Sequence, residues 1–236
     1  MRCLFIFAHP DDETVSCAIT IKKLTEAGHE VTVVSVTDGG AGEVMRSAQP
    51  NLKKFGSVGE LRRHELQQVC AFLGVKKLDI LNFKDGEITN QEVWGKLTIA
   101  CQEKIDEYQP DLLVTFDHTG WYFHLDHVAV SIATTLAANQ AKHSPQIFFH
   151  TLMLVENTKW SYVFPKNLPV THQVDSSQNR EVKIEAMRLH ASQDLDTVKR
   201  WVEERQPYFE LFQLVSATSE GEKMLQNQSI FDKVLE

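Results

Sequence analysis

Two short clusters of histidine and carboxylate residues carry the chemistry of this chain: Ala8-His9-Pro10-Asp11-Asp12-Glu13 near its start and His124-Leu125-Asp126-His127 at mid-length. His9 and Asp12 are three residues apart, so at the opening turn of a helix both side chains face one point. An imidazole and a carboxylate together suit zinc or another first-row divalent ion. Asp11 does not easily share that face and is left for proton transfer, which supplies the two roles a hydrolase needs, a ligand and a base. Taken alone, an Asp-Asp-Glu run is explained as a helix cap beside the positive helix end. His9 and the second cluster argue against that reading. His9, Asp12 and one of His124 and His127 would make three protein ligands, the usual number at a catalytic zinc, with a fourth position open for water. The remaining histidine is free to stabilise an oxyanion or to protonate a leaving amine.

These residues need elements to hold them. Arg2–Phe7 is a short apolar run that reads as a strand, and Glu13–Ala27 follows as a helix with Cys17, Ile21 and Leu24 on one face, stopped by Gly28. Val31–Val36, Leu78–Phe83, Leu112–Phe116 and Ile147–Val155 read as further strands. Helical stripes fall at Leu66, Val69, Cys70 and Leu73 before Gly74, and at Trp94, Leu97, Cys101 and Ile105 before Pro110. Others fall at Val128, Ile132 and Leu136, and at Leu195, Val198 and Val202. Strand and helix in alternation predict an α/β, Rossmann-like three-layer fold with a mostly parallel sheet covered by helices on both faces. In such a fold functional residues sit beyond the carboxyl ends of strands, and both clusters follow a strand and open a helix. With the first and fourth strands adjacent, the clusters meet. Gly39–Gly59 and Glu156–Asn179 show no clear periodicity. The first is expected to be a lid or substrate-binding loop.

Composition bounds the rest. The 236 residues, with 42% hydrophobic and 24% charged, match an ordinary globular chain, and no linker divides them, so residues 1–236 are expected to form one domain. Lys+Arg 24 against Asp+Glu 32 gives a net charge of −8, which argues against nucleic-acid or anionic-membrane partners. No export signal or membrane anchor is evident, so a cytoplasmic location is expected. Cys3, Cys17, Cys70 and Cys101 lie on apolar stripes and read as buried hydrophobes. The pairs Lys53-Lys54 and Arg62-Arg63 read as a solvated face.

Together the motifs resemble the zinc-dependent de-N-acetylases related to N-acetylglucosaminyl-phosphatidylinositol deacetylase, the LmbE-like (PIG-L) family. Besides the two clusters, Thr37-Asp38-Gly39-Gly40-Ala41-Gly42-Glu43 is similar to that family's second-strand loop. Arg62, Glu65 and Leu66 with Leu73-Gly74-Val75 resemble its R-x-x-E-L helix. Asp85-Gly86 fits the loop after the third strand. Lys183, Ala186, His190, Ser192 and Gln193 resemble its K-x-x-A…H-x-S-Q segment. The resemblance implies His9, Asp12 and His127 as metal ligands and Asp11 as the base that activates water. It implies His124 as stabiliser of the tetrahedral intermediate or acid, Asp126 as the residue tuning its charge, and Tyr122 and Arg62 as substrate contacts. It implies zinc, with iron as the alternative, a small-molecule N-acetylated sugar conjugate as substrate, and is compatible with a homo-oligomer. The departures are Leu125, where the family often has proline or glycine, and the bulky Trp121-Tyr122-Phe123 run, which bears on the acyl pocket.

Other chemistries have less support. Gly40-Ala41-Gly42 lacks the third glycine of a dinucleotide loop, and His64-Glu65 lacks the second histidine of a metalloprotease helix. No G-x-S-x-G elbow occurs. The alternatives to deacetylation are hydrolysis of another amide or ester, phosphoesters included, or sugar-conjugate binding without catalysis. The complete set of His9, Asp11, Asp12 and His127 weighs against the last.

Overall fold

The computed structural model describes residues 1–151 and 169–216. Its seven strands form one sheet in the order β3-β2-β1-β4-β5-β7-β6. β1 (Arg2–Phe7), β2 (Glu30–Thr37), β3 (Lys77–Phe83), β4 (Leu112–Phe116) and β5 (Gln146–Thr151) are mutually parallel. β6 (His172–Asp175) and β7 (Phe209–Ser216) add an antiparallel edge. After Arg2, every residue of β1 is buried, as is every residue of β4, because helices cover both faces; this is why each strand is a continuous apolar run and does not alternate. α1 (Asp12–Glu26), α3 (Val58–Leu73) and α7 (Arg180–Leu189) pack together, while α4 (Gln91–Tyr108) packs on α6 (Leu125–Gln140), which the single turn α5 (Gly120–Phe123) precedes.

β1 to β3 extend the sheet in one direction, and β4 and β5 in the other. The order therefore reverses between β1 and β4, whose pairing (Cys3 with Leu112, Phe5 with Val114) brings their carboxyl ends side by side. That reversal opens the crevice where ligands bind in such sheets.

Several expectations need correction. Gly39–Gly59, read as lacking periodicity, holds a 3₁₀ turn at Arg46–Ala48, α2 (Gln49–Phe55) and the start of α3. The Ser57 Oγ caps α3 by accepting from the Glu60 N–H at 3.1 Å, a start that the helical stripe farther along did not register. On α6 the face is turned from the expected one: Val130, Ala133 and Ala137 are buried, whereas Leu136 is 45% exposed. The small residues let α6 lie close to its neighbours, so size outweighs hydrophobicity there. Trp94 likewise faces outward while Leu97, Cys101 and Ile105 enter the core. β5 ends at Thr151, and residues 152–155 of the expected strand lie outside the described residues. α8 (Asp196–Glu204) begins after Leu195 and inserts Val202 into a second small core with Ile19, Ile184, Met187 and Tyr208. All four cysteines are free and buried, as expected.

Candidate active site and metal centre

The connection from β1 to α1 is anchored first. The Thr37 N–H and Oγ1–H both donate to the Ala8 carbonyl, at 2.9 and 3.0 Å, fixing the loop to the end of β2. The His9 N–H donates to Asp12 Oδ2 at 2.7 Å, so the two residues are locked in the turn that the spacing predicted. Asp12 uses both oxygens: Oδ2 lies 3.5 Å from His9 Nδ1 and Oδ1 lies 3.2 Å from His127 Nε2. The two clusters do meet, across β1 and β4.

His127 is fixed by aromatic rings. Phe116, the last residue of β4, stacks on it at 4.1 Å between centroids, and Trp121 meets it edge-on at 5.1 Å. Gly120 allows this approach: it has φ +57, and a Cβ there would lie 3.0 Å from His127 Cβ and from the Val128 backbone nitrogen. His124 stacks on His127 at 4.4 Å and stands 5.0 Å from His9. The Nδ1 atoms of His124 and His127 are buried without a hydrogen-bond partner.

Among the described residues, two groups bring candidate ligand atoms within 4.8 Å of one another: His9 with His124 and His127, and His9 with Asp85 and Asp126. Neither contains Asp12, whose oxygens face His9 and His127 as given above. His9 Nε2 lies 3.1 Å from Asp85 Oδ1 and 3.2 Å from Asp126 Oδ2. Those carboxylates are themselves held, Asp85 by the Ala41 N–H at 2.9 Å and Asp126 by the Gly86 N–H at 3.1 Å. Such a clamp gives His9 Nε2 two carboxylate acceptors and leaves Nδ1 facing Asp12, the arrangement suited to an imidazole that binds a metal through its other nitrogen. Three carboxylates against two buried imidazoles leave surplus negative charge, and an N, N, O donor set suits a divalent ion, so the residues fit one.

The electrostatics follow from this crowding. Burial works against charging His9, yet Asp12, Asp126 and Asp85 raise its pKa well above the usual histidine value. Burial opposes ionisation of Asp12, but the His127 and His9 imidazoles hold its pKa far below the carboxylate range. Burial pushes Asp11 up to about 6, with the Arg62 guanidinium acting against it. His124 is lowered by burial and by the neighbouring His127 and His9. Tyr122 is raised, by burial first and then by Asp12 and Asp11.

The other expected site residues are distributed unevenly. Asp11 lies at φ 114, with its carboxylate 3.2 Å from Arg62. Arg62 is not on a solvated face: it is 4% exposed, and it donates to the Gly39 and Pro10 carbonyls. Its guanidinium braces the site from behind. Asp126 is turned to His9 and the Gly86 N–H, and none of its hydrogen bonds goes to His124. The Trp121-Tyr122-Phe123 run divides: Trp121 is core, while Tyr122 and Phe123 are 49% and 45% exposed, with Tyr122 5.9 Å from His124. Asp85 was visible in sequence only as part of an Asp-Gly loop; its partnership with His9 depends on β3 lying in the same half of the sheet.

A Rossmann-like sheet with a His/Asp cluster at its switch point defines a class, the α/β proteins whose site is suited to metal-dependent hydrolysis. Residues 4–138 match the family of GlcNAc-PI de-N-acetylases (PIG-L). The chain is 30% identical over 233 aligned residues to a 1D-myo-inositol 2-acetamido-2-deoxy-alpha-D-glucopyranoside deacetylase of Mycobacterium sp. (strain JLS), covering 81% of this chain and 74% of that one. The chain belongs to the PIG-L de-N-acetylase family. Among solved structures it resembles the N,N'-diacetylchitobiose deacetylase of Pyrococcus horikoshii, with a TM-score of 0.66, 24% identity, and 91% and 83% of the two chains covered. It also resembles GalB, the 4-carboxy-2-hydroxymuconate hydratase of Pseudomonas putida KT2440, with a TM-score of 0.67, 15% identity, and 92% and 97% covered. These two likenesses show the fold, and their different chemistries show that the fold alone does not choose the reaction. Among the described residues no helix is long and apolar enough to cross a membrane.

Proposed function

We propose that this chain is a metal-dependent hydrolase that removes the acetyl group from an N-acetylglucosamine conjugate. The observation that carries the reading is the meeting of His9, Asp12 and His127 beside a second carboxylate, Asp11, that neither imidazole engages. His9, Asp12 and His127 would hold the ion, for which zinc is the first choice and iron the second. When bound, a divalent ion supplies Lewis acidity toward the amide carbonyl and makes water more acidic.

The chain's own residues do the rest. Asp11, raised to about 6, is basic enough to take a proton from the attacking water and acidic enough to return it near neutrality. Arg62 keeps that carboxylate aimed into the crevice. His124, half-buried beside His9 and His127, would donate to the oxygen that gains charge as the carbonyl becomes tetrahedral. The proton held by Asp11 or His124 then goes to the leaving amine, and acetate and free amine part. Tyr122, exposed at the rim, is the side chain in reach of the sugar or its conjugate.

The test is amine release, read with fluorescamine, from N-acetylglucosamine, N,N'-diacetylchitobiose and 1D-myo-inositol 2-acetamido-2-deoxy-alpha-D-glucopyranoside, with metal content measured in parallel. About one zinc or iron per chain, and release abolished by a chelator, are expected. Asp11→Asn should retain metal and lose about 10²- to 10⁴-fold in kcat, the share of general acid–base catalysis, whereas His127→Ala should lose the metal. No amine from any of the three substrates, or Asp11→Asn with wild-type kcat, overturns the reading.

A further inference from the structure

Asp11 occupies a backbone conformation that an L-residue rarely adopts, φ 114 and ψ −24, at the N-cap of α1. An aspartate at that position ordinarily turns its side chain onto the first N–H groups of its own helix. Here the side chain makes no such cap bond, so the carboxylate is left for the crevice. Something else must hold the backbone there.

What holds it is the side chain of Glu13. Its Oε2 accepts from the Asp11 N–H at 3.1 Å, and its Oε1 accepts from Thr14 Oγ1–H at 2.7 Å. Glu13 is 1% exposed, and a buried carboxylate needs a strong partner. That partner is His190, fully buried, whose Nε2 lies 2.7 Å from Glu13 Oε1 across 177 positions of sequence. His190 follows α7, and the residues after it are tied to the same site from two other directions. The Ser192 N–H and Oγ–H both donate to Glu65 on α3, one turn from Arg62, and the Ser192 carbonyl accepts from the Met45 N–H at 2.9 Å.

We infer that Glu13 and His190 are positioning residues for Asp11: the buried pair holds the Asp11 backbone in its left-handed state and so aims its carboxylate at the reacting water. This rests on the reading of Asp11 as the base. Neither residue reaches the crevice, so both act through Asp11 and not on substrate. Displacing a catalytic group by about 1 Å costs roughly a hundredfold in rate even when binding is untouched.

The experiment compares His190→Leu, His190→Gln and Glu13→Gln with Val202→Ala, which loosens the packing of α7 against α8 without touching Glu13. For each, kcat, KM, metal per chain and Tm are measured on the substrate that wild type deacetylates fastest. His190→Leu is expected to keep its metal and its KM while kcat falls about ten- to a hundredfold. His190→Gln, which keeps a donor toward Glu13, should recover most of that loss. Val202→Ala should lower Tm with kcat unchanged. Should His190→Leu fail to fold, Glu13→Gln decides: it offers three donors a single oxygen and should lose about tenfold in kcat with metal retained. Wild-type kcat in Glu13→Gln, loss of metal together with kcat in His190→Leu, or a kcat loss matched by Val202→Ala would overturn the inference. Asp11→Asn separates the two levels: if it is inactive while the Glu13 and His190 variants are normal, only the positioning role falls; if it is active, the base assignment falls first.

Discussion

Removal of Glu210 is expected to unfold this protein more readily than any single truncation of an apolar residue in its second core. The Glu210 carboxylate, 1% exposed on β7, accepts from the Ile19 and Thr20 N–H groups of α1 at 3.2 and 2.8 Å and from Thr20 Oγ1–H at 2.6 Å. It pairs with Lys183 Nζ at 2.8 Å, and Lys183 in turn donates to the Ser16 carbonyl at 3.0 Å. The ion pair thus joins β7 and α7 to the helix whose first turn carries Asp12. Glu210→Ala leaves a buried ammonium unpaired, which costs about 3–5 kcal/mol. It also deprives α1 donors of an acceptor, at about 1 kcal/mol or more each. With three such donors, a loss of about 6–8 kcal/mol is expected, which at roughly 2–4 °C per kcal/mol for a chain of this size lowers Tm by about 12–32 °C. Urea unfolding at constant m-value measures it. The double variant Lys183→Met with Glu210→Leu removes both charges but still strands the α1 donors, so it should lie between wild type and Glu210→Ala. A pH series adds a sign. Burial opposes the charge on Lys183, but Glu210 holds its pKa above the usual lysine value. The pair's stabilisation is therefore complete below about pH 10.4 and is lost as pH rises through the raised value. In Glu210→Ala the unpaired, buried Lys183 reverses this, and stability should climb as pH rises toward 10. A Glu210→Ala loss below about 1 kcal/mol, or a double variant less stable than the single, would refute the reasoning.

Two further outcomes follow from the site. Asp85 and Asp126 share the clamp on His9 Nε2, so either Asp→Asn variant alone should weaken metal affinity modestly and the pair together by about 10- to 100-fold, read by competition with a chromogenic chelator. An undiminished affinity in the double variant would mean that the clamp does not orient His9. Gly120→Ala combines a positive φ with a Cβ 3.0 Å from the start of α6, so it should move His127, lower Tm by several degrees and weaken metal binding; wild-type values for both would exclude a role for that close approach.

Much of this was local and therefore legible. β1 and β4 coincide with the apolar runs at Arg2–Phe7 and Leu112–Phe116, because a strand buried on both faces has no polar alternation to blur its limits. The spacing of His9 and Asp12, and of His124 and His127, at strand-to-helix junctions was enough to mark both clusters, and strand–helix alternation was enough to put them at one end of a parallel sheet. What sequence alone did not determine was every feature that joins distant segments. The antiparallel edge depends on partners far away in sequence: β7 pairs with β5, and the four-residue β6 joins only through β7. α6 turns its small residues inward because its neighbours set the available space, and hydrophobicity does not. Arg62 is buried because three groups from two other loops, Gly39, Pro10 and Asp11, converge on its guanidinium. Asp126 faces His9 because β1 lies beside β4. Glu13 reads as a helix-start acid until His190 arrives from 177 residues away. Residue type and spacing name the groups able to do chemistry; the direction in which each side chain points, and which neighbour sets its charge, are properties of packing and belong to the tertiary structure.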